Sequence, residues 1–223
     1  MRALAFFAVL ALTLSACTAE RAVSVRQSVQ GAAQVAAADQ QPDPQPAPAD
    51  AYDPTTDSLR FAGEVHLRNL RQLTYGGNNA EAYWSYDGEQ LIFQSDWRAI
   101  NDQGCDQQFV MNADGSDLST GERYRLVSTG QGRTTCGYFL ADGRVIYSST
   151  HAASPACPVT AASQTGRYVW DIFPTFDIYV ANADGTGTEL LIGGEGYDAE
   201  PTVSPDGRFV IFTSTRSGDL ELY

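Results

Sequence analysis

From about residue 61 to its last residue, the chain alternates short apolar runs with polar turn residues. The runs are rich in Val, Ile, Leu, Phe and Tyr and are separated by Gly, Asp and Asn, which is typical of β-strands and tight turns. Three segments share one pattern around an Asp-Gly pair: AEAYWSYDGEQLIF from Ala80, TCGYFLADGRVIY from Thr135 and AEPTVSPDGRFVIF from Ala199. Each pattern predicts a hairpin of two strands joined by an Asp-Gly turn.

Two further runs follow each of the first two hairpins. FVMNADGSD (109–117) and YVANADGTG (179–187) predict a third strand that ends in a turn, and YRLVST (124–129) and TELLIG (188–193) predict a fourth. The three hairpin turns lie 55 and 64 residues apart, more than the about 40–45 residues of a typical blade, and the largest insertion is 151–175. The repeat predicts an all-β fold, a partial β-propeller of four-stranded antiparallel blades with about two full blades and part of a third.

The repeat motifs resemble those of one known family. Ser-Pro-Asp-Gly at 204–207, followed by Arg-Phe-Val-Ile-Phe, and Asn-Ala-Asp-Gly at 112–115 and 182–185 are similar to the WD-repeat-like propeller repeats of TolB-type proteins. The lead-in HLRNLRQLTYGG (66–77) resembles the outermost strand with which such propellers close their ring. The resemblance implies TolB-like propeller repeats over 61–223. It also implies a role in envelope integrity and biopolymer transport, through contacts with Tol-Pal-like envelope proteins.

Two features depart from the TolB pattern. TolB proteins carry an α/β domain ahead of the propeller, whereas this chain has a polar segment there. The final GDLELY aligns with a third strand and places Tyr223 on the column of Phe109 and Tyr179. A propeller needs about four to eight blades to close. We therefore expect the sequence to stop inside a blade and to be either a fragment of a longer protein or half of an assembly.

The first 16 residues have the features of a secretory signal, with a positively charged start, an apolar run and small residues before Cys17. Leu14-Ser15-Ala16-Cys17 resembles the bacterial lipobox, which implies cleavage before Cys17 and lipid attachment to it; an ordinary signal peptide with a chance cysteine is the alternative. Residues 17–60, rich in Ala, Gln and Pro, predict a disordered tether. Thr18 follows the cysteine, and the absence of Asp at this position resembles the pattern of lipoproteins sorted to the outer membrane. The expected location is therefore periplasmic, at the outer membrane, with a lipid anchor as the only membrane contact.

Charge and motif content narrow the function. The chain has 14 basic residues, all Arg, against 27 acidic ones, a net charge of −13 that argues against a nucleic-acid partner. The absence of Lys excludes Schiff-base and phosphate-loop lysines. The sequence has no Gly-x-Ser-x-Gly and no His-Glu-x-x-His, and His66 and His151 are its only histidines. We expect a non-catalytic scaffold without a cofactor. The alternatives are the propeller gate of a prolyl-oligopeptidase-like peptidase and a glycan-binding propeller.

Three equivalent positions suggest a binding ring. Glu81, Cys136 and Glu200 each precede an Asp-Gly aspartate by six residues, and they begin what would be the innermost strands. Together with Asp198 they fall on one rim, formed by the loops opposite the Asp-Gly turns. One interpretation is an acidic ring at the mouth of a central channel, able to bind a cation or a basic peptide. The other is that the glutamates only start the strands and face water.

The same rim carries the remaining cysteines and a group of aromatic residues. Cys105, Cys136 and Cys157 allow three single pairings, and an exported protein favours disulfides. We predict one bridge that includes Cys136, with its partner undetermined. The spacing of the Cys and His residues disfavours a zinc site. The segment Asn-Ala-Asp-Gly-Ser-Asp at 112–117 indicates a turn rather than a calcium-binding loop. The aromatic residues of the insertion form either a binding surface or a cover for their own blade: Tyr168, Trp170, Phe173 and Phe176.

Overall fold

The computed structural model describes residues 58–61, 63–160, 166 and 170–223. Within these residues the chain forms eleven strands and no helix. The strands are β1 (Asn79–Trp84), β2 (Gln90–Ser95), β3 (Gln107–Asn112), β4 (Arg125–Leu126), β5 (Thr134–Phe139), β6 (Val145–Ser149), β7 (Asp177–Ala181), β8 (Glu189–Ile192), β9 (Asp198–Val203), β10 (Val210–Ser214) and β11 (Glu221–Leu222).

The strands form three antiparallel sheets, each built from consecutive strands. The first blade has the order β1-β2-β3-β4, the second β5-β6-β7-β8, and the third contains β9, β10 and β11. The register repeats, because Phe93 lies opposite Phe109 in the first blade and Tyr147 opposite Tyr179 in the second. Phe212 and Tyr223 exchange both backbone hydrogen bonds in the third. The predicted all-β partial propeller and the predicted column of Tyr223 are confirmed.

The predicted hairpin turns owe their shape to the Asp-Gly pairs. In the first turn the Gly88 amide donates to the Ser85 carbonyl at 3.0 Å, and Gly88 has a φ of 75°, which is unfavourable for other residues. The Asp87 carboxylate accepts from the Glu89 amide and from the Ser85 hydroxyl. Those hydrogen bonds lower the pKa of Asp87 below its usual range. The Asn-Ala-Asp-Gly segments repeat this chemistry, so the interpretation of 112–117 as a turn is confirmed.

Apolar side chains fill the two interfaces between blades. Because successive residues of a strand point to opposite faces, β6 contributes to both interfaces. Tyr147 is fully buried with Ile92 and Val110 of the first blade, while Ile146 packs on the other side with Phe212 of the third. The blades are therefore stabilised mainly by the packing of one sheet face on the next.

Backbone hydrogen bonds also cross both interfaces at the rim. The Thr134 amide at the start of β5 donates to the Asp106 carbonyl of the first blade at 2.8 Å. The Asp198 amide at the start of β9 donates to the Phe176 carbonyl of the second blade at 3.0 Å. The first strand of each later blade is thus fixed to the segment that leads into the third strand of the blade before it.

The lead-in 66–77 differs from its expected structure. It contains no strand in the described residues. Leu73 packs into the core of the first blade beside Phe93, and the Tyr124 hydroxyl donates to the Leu73 carbonyl at 2.6 Å. These contacts hold the segment against the first blade rather than against the third, so the predicted ring-closing strand is not formed here.

Several sequence predictions lie outside the described residues. The signal peptide (1–16), the lipidated Cys17, almost all of the tether (17–60) and Tyr168 belong to this group. In the described part of the chain, no helix is long and apolar enough to cross a membrane.

Candidate functional site

A left-handed residue interrupts the first strand of every blade at the same position. Glu81, Cys136 and Glu200 have φ values of 53°, 50° and 58°. In each blade the register between the first and second strands shifts at this point, as in a β-bulge. A non-glycine residue in this conformation costs about 1–2 kcal/mol. Three such residues on one repeat column indicate a backbone arrangement that recurs with the blade.

The bulges bring these three side chains, the channel ring, close together. Glu200 and Cys136 line one cleft of about 120 Å³ between the second and third blades, together with Tyr83 of the first. The charges of Glu81 and Glu200 both act on the Cys136 thiol. The three residues that share one repeat column in the sequence are therefore neighbours in space. Their role in binding stays a prediction.

Hydroxyl groups hold both carboxylates of the channel ring. The Tyr83 hydroxyl donates to Glu81 Oε2 at 2.6 Å, and the Thr213 hydroxyl donates to Glu200 Oε2 at 2.7 Å. The hydrogen bond to Glu81, more than burial, raises the pKa of Tyr83 to about 12. The two glutamates are half-buried and bonded within the protein, so they do more than begin a strand.

The Cys136 thiol stays protonated at neutral pH. The pKa of Cys136 is raised to about 11, mainly by burial. The hydrogen bond with the Thr135 hydroxyl opposes this rise, and the charges of Glu81 and Glu200 add to it. The thiolate is the nucleophilic form of cysteine. Cys136 therefore serves as a neutral, weakly polar group between two carboxylates.

Alkylation of Cys136 by iodoacetamide should be slow and should depend steeply on pH. At pH 8 we expect a rate at least about tenfold below that of glutathione, because little thiolate is present below a pKa near 11. The rate should keep rising up to about pH 11. Peptide mass spectrometry of timed samples reports on Cys136 separately from Cys17.

A double variant shows whether Cys136 reacts slowly because of the two glutamate charges or because its thiol is shielded from the reagent. Glu81→Gln with Glu200→Gln removes both charges, so it should lower the pKa of Cys136 and shift the rate profile to lower pH. A plateau of the wild-type rate near pH 8.5 would contradict the raised pKa.

Asp198 does not belong to the open site that the sequence suggested. It is buried, and its Oδ1 accepts from Arg216 Nη2 at 2.8 Å. The guanidinium of Arg216 comes from the loop after β10 and also lies over the Phe212 ring, with 4.8 Å between the guanidinium carbon and the ring centre. The prediction of Asp198 as a rim-binding residue is wrong, because its carboxylate is used inside the third blade.

The predicted cysteine bridge is also corrected. Cys105 and Cys157 form the disulfide, with 2.09 Å between the sulfur atoms and 6.1 Å between the Cα atoms, and Cys136 is free. Cys136 lies in the bulge of β5, in one cleft with Glu200 and near enough to both glutamates for their charges to act on it, whereas Cys105 and Cys157 lie in loops. The bridge ties the insertion 151–175 to the loop between β2 and β3 of the first blade.

A larger cleft of about 380 Å³, the side cleft, lies beside the channel ring under the insertion. The sequence pointed to four of its residues, Glu81, Trp170, Phe173 and Phe176, and gave no indication of others that reach it from neighbouring loops and strands. The missed residues include Gln94, Asp106, Arg133, Thr135 and Tyr197. Arg133 pairs with the Asp106 carboxylate across the blade boundary. Little in the sequence pointed to Gln94, because the equivalent positions of the other two blades hold Ser148 and Thr213 and the alignment therefore shows no repeated residue type there.

The aromatic residues of the insertion divide into two groups. Phe176 is buried and packs edge-on against Tyr197 of the third blade, with ring centres 5.8 Å apart, and Phe173 lies 6.0 Å from Phe176. These rings cover the interface between the second and third blades, rather than their own blade alone as one of the two interpretations had it. All three rings line the side cleft, but Trp170 differs in that 56% of its surface is exposed.

The two histidines take no part in the channel ring. His66 is exposed, and the His151 ring packs on Tyr179 with 4.4 Å between ring centres while its Nδ1 contacts the Ser149 hydroxyl at 2.9 Å. Burial lowers the pKa of His151, and the nearby Asp177 charge partly opposes this. Among the described residues no group of three or more His, Cys, Asp or Glu could hold a metal ion.

Comparisons with known proteins find short or low-level similarity. No protein-family model matches the chain. Over 48 residues it is 40% identical to an uncharacterized protein of Agrobacterium fabrum, a match that covers 22% of this chain and 16% of the relative. TolB from Acinetobacter baumannii is similar at a TM-score of 0.44 and 18% identity, over 66% of this chain and 29% of TolB.

A protein assigned as TolB from Agrobacterium tumefaciens gives a TM-score of 0.40 and 20% identity, over 61% of this chain and 39% of that protein. The chain spans less than half the length of each of these three proteins. The β-propeller fold of the described region rests on its own strand order and register.

Proposed function

We propose that the protein is a non-catalytic β-propeller scaffold of the bacterial cell envelope that binds protein partners at its channel ring. The observation that carries this proposal is the repeated bulge, which aims Glu81, Cys136 and Glu200 at one place. Bulges are common next to functional sites because they redirect a side chain without ending the strand. The sequence resemblance to TolB-type repeats supports a TolB-like role in envelope integrity and biopolymer transport, with Tol-Pal-like proteins as partners.

The chemistry of the channel ring supports binding rather than covalent catalysis. Two carboxylates, each fixed by a hydroxyl donor, present negative charge in a defined direction. Fixed charges of this kind attract and orient a basic partner segment. The raised pKa of Cys136 keeps its thiol protonated, so the cysteine is poorly suited to act as a nucleophile at neutral pH.

The lipobox supports a periplasmic location with a lipid anchor at Cys17, at the outer membrane. Acyl chains hold a protein at a membrane through buried methylenes, at about 0.8 kcal/mol each. The segment 17–60 would then separate the propeller region from the membrane surface. Fractionation of cells that produce Cys17→Ala tests the anchor, since this variant should move from the membrane to the soluble fraction.

Partner capture tests the scaffold. Envelopes that contain the tagged full chain are cross-linked, and the recovered proteins are compared between wild type and Glu81→Gln/Glu200→Gln. We expect at least one partner whose recovery falls about tenfold or more in this variant, because its basic groups lose both carboxylates. The matched control is Glu89→Gln, an exposed glutamate at the opposite, Asp-Gly-turn end of the first blade. Recovery of no protein above background, or equal loss in the control, would count against the proposal.

A further inference from the structure

The side cleft has the size and the composition of a small-molecule site. Its volume of about 380 Å³ falls within the about 300–1,000 Å³ typical of ligand pockets. It lies between the first blade and the insertion, beside the channel ring. Its lining combines aromatic rings with polar side chains, here called the polar wall, so a ligand with one apolar face and several hydroxyl groups would match both.

Trp170 provides a single aromatic platform. Its indole hydrogen bonds to the hydroxyl of Tyr197, so the edge of the ring is held while much of its surface stays open. Tyr197 is itself buried against Phe176. The Cys105–Cys157 bridge fixes the start of the insertion to the first blade. The negative face of an aromatic ring attracts the weakly positive C–H groups that a pyranose ring presents on one side.

The polar wall is ordered by contacts within the protein. Gln94 Oε1 accepts from the Cys136 amide at 3.1 Å and from the Thr135 hydroxyl at 3.3 Å, which fixes the orientation of its amide group. In the described part of the chain its Nε2 has no hydrogen-bond partner, so two N–H donors remain for a ligand. The pair formed by Arg133 and Asp106 adds planar donors and acceptors. Side chains already held in place reduce the entropy cost of binding.

Two observations narrow the ligand class. A cage for a quaternary ammonium group needs several open ring faces. Phe176 and Tyr197 are buried against each other, and among the described rings that line the cleft only Trp170 is broadly exposed. Three of the four charged side chains that line the cleft are acidic, namely Glu81, Asp106 and Asp171, and one is Arg133. An anionic ligand would therefore be repelled.

We propose that the side cleft binds a carbohydrate, one neutral or amine-bearing hexose unit, with its apolar face on the indole of Trp170 and its hydroxyl groups on Gln94, Arg133 and Asp106. This activity goes beyond the binding of protein partners at the channel ring, with which the side cleft shares Glu81. The sugar unit could belong to a free oligosaccharide or to an envelope polymer, because both present the same ring chemistry.

Saturation-transfer NMR with the full chain tests the site. The probes are the methyl glycosides of glucose, N-acetylglucosamine, glucosamine and glucuronic acid. We expect dissociation constants in the millimolar range, about 1–10 mM, for the neutral and amino sugars, and binding at least about tenfold weaker for the glucuronide. Repeating the titration with a chitin tetramer and with isolated cell-wall fragments distinguishes a free oligosaccharide from a polymer as the source.

Substitutions inside and outside the side cleft show whether the sugars bind there. Trp170→Ala should weaken binding of the neutral sugars at least about tenfold, and Trp170→Phe, which keeps a ring, about threefold. Trp84→Ala, which removes another exposed tryptophan outside the cleft, should bind like wild type. Glu81→Gln should weaken binding of the glucosamine glycoside alone. Thermal melting of each variant checks that it is folded.

Three outcomes would overturn the proposal. The first is no transfer to any neutral or amino sugar at about 50 mM, well above the expected dissociation constants. The second is equal binding by wild type and folded Trp170→Phe and Trp170→Ala. The third is that an arginine-rich peptide binds in a Trp170-dependent way while the sugars do not, which would make the cleft a peptide site. None of them affects the partner capture described above, so the two proposals fail separately.

Discussion

Replacing both Cys105 and Cys157 by alanine should lower the free energy of unfolding by about 4 kcal/mol. The two residues are 52 apart in sequence, and a cross-link over such a loop restricts the unfolded chain strongly. The bridge also holds the insertion against the first blade, over the side cleft. Urea denaturation of wild type, Cys105→Ala/Cys157→Ala and reduced wild type measures the loss.

The matched control is Cys136→Ala. This variant keeps the bridge and removes only a half-buried thiol, so it should change the free energy of unfolding by less than about 1 kcal/mol. Thiol titration in denaturant should show that reduction releases two further thiols. A larger loss for Cys136→Ala than for the double variant would mean that the bridge involves Cys136 after all.

Arg216→Ala should be the most destabilising single change at a charged residue, with a loss of about 3 kcal/mol. The substitution leaves the Asp198 carboxylate buried without its partner, and it removes the guanidinium from the face of Phe212. Because Arg216 is itself partly exposed, the estimate lies at the lower end of the range for buried pairs. Thermal or urea unfolding of the purified variant measures the loss.

A double-mutant cycle measures how much the interaction between Asp198 and Arg216 contributes to the free energy of unfolding. Asp198→Asn in the Arg216→Ala background should cost less than in wild type, with a coupling energy of about 1–2 kcal/mol. The control is Arg208→Ala, whose contact with Asp206 is long, at 3.9 Å, and exposed, so we expect less than about 0.5 kcal/mol. Additive losses for Asp198 and Arg216 would show that the carboxylate does not depend on this arginine.

The repeat pattern was sufficient to predict the strands and their order. The Asp-Gly and Asn-Ala-Asp-Gly turns define strand ends by local backbone chemistry, and this chemistry depends on few distant contacts. The column of Tyr223 followed from the same spacing and is confirmed. The column of Glu81, Cys136 and Glu200 could be found by alignment. Its left-handed conformation could not, because none of the three is a residue that favours positive φ.

The errors arose where distant segments decide the outcome. Asp198 lies two residues from Glu200, yet Arg216, 18 residues away, removes its carboxylate from the rim. Three cysteines on one rim leave the pairing open, and the path of the insertion brings Cys157 to Cys105. The lead-in 66–77 has a strand-like sequence but is held by Leu73 and Tyr124 against the first blade. The side cleft depends on the path of the insertion, which supplies Trp170, Phe173 and Phe176 to its lining.

The bulges have a further consequence for cooperativity. In repeat proteins the overall stability depends on the intrinsic stability of each unit and on the coupling between nearest neighbours. A bulge leaves an amide without a partner in its own sheet, and at Cys136 that amide is bonded to Gln94 of the preceding blade. The Thr134 amide likewise bonds to the Asp106 carbonyl of that blade. Opening one blade therefore exposes polar groups of the next, so we expect the first two blades to unfold as a single cooperative unit.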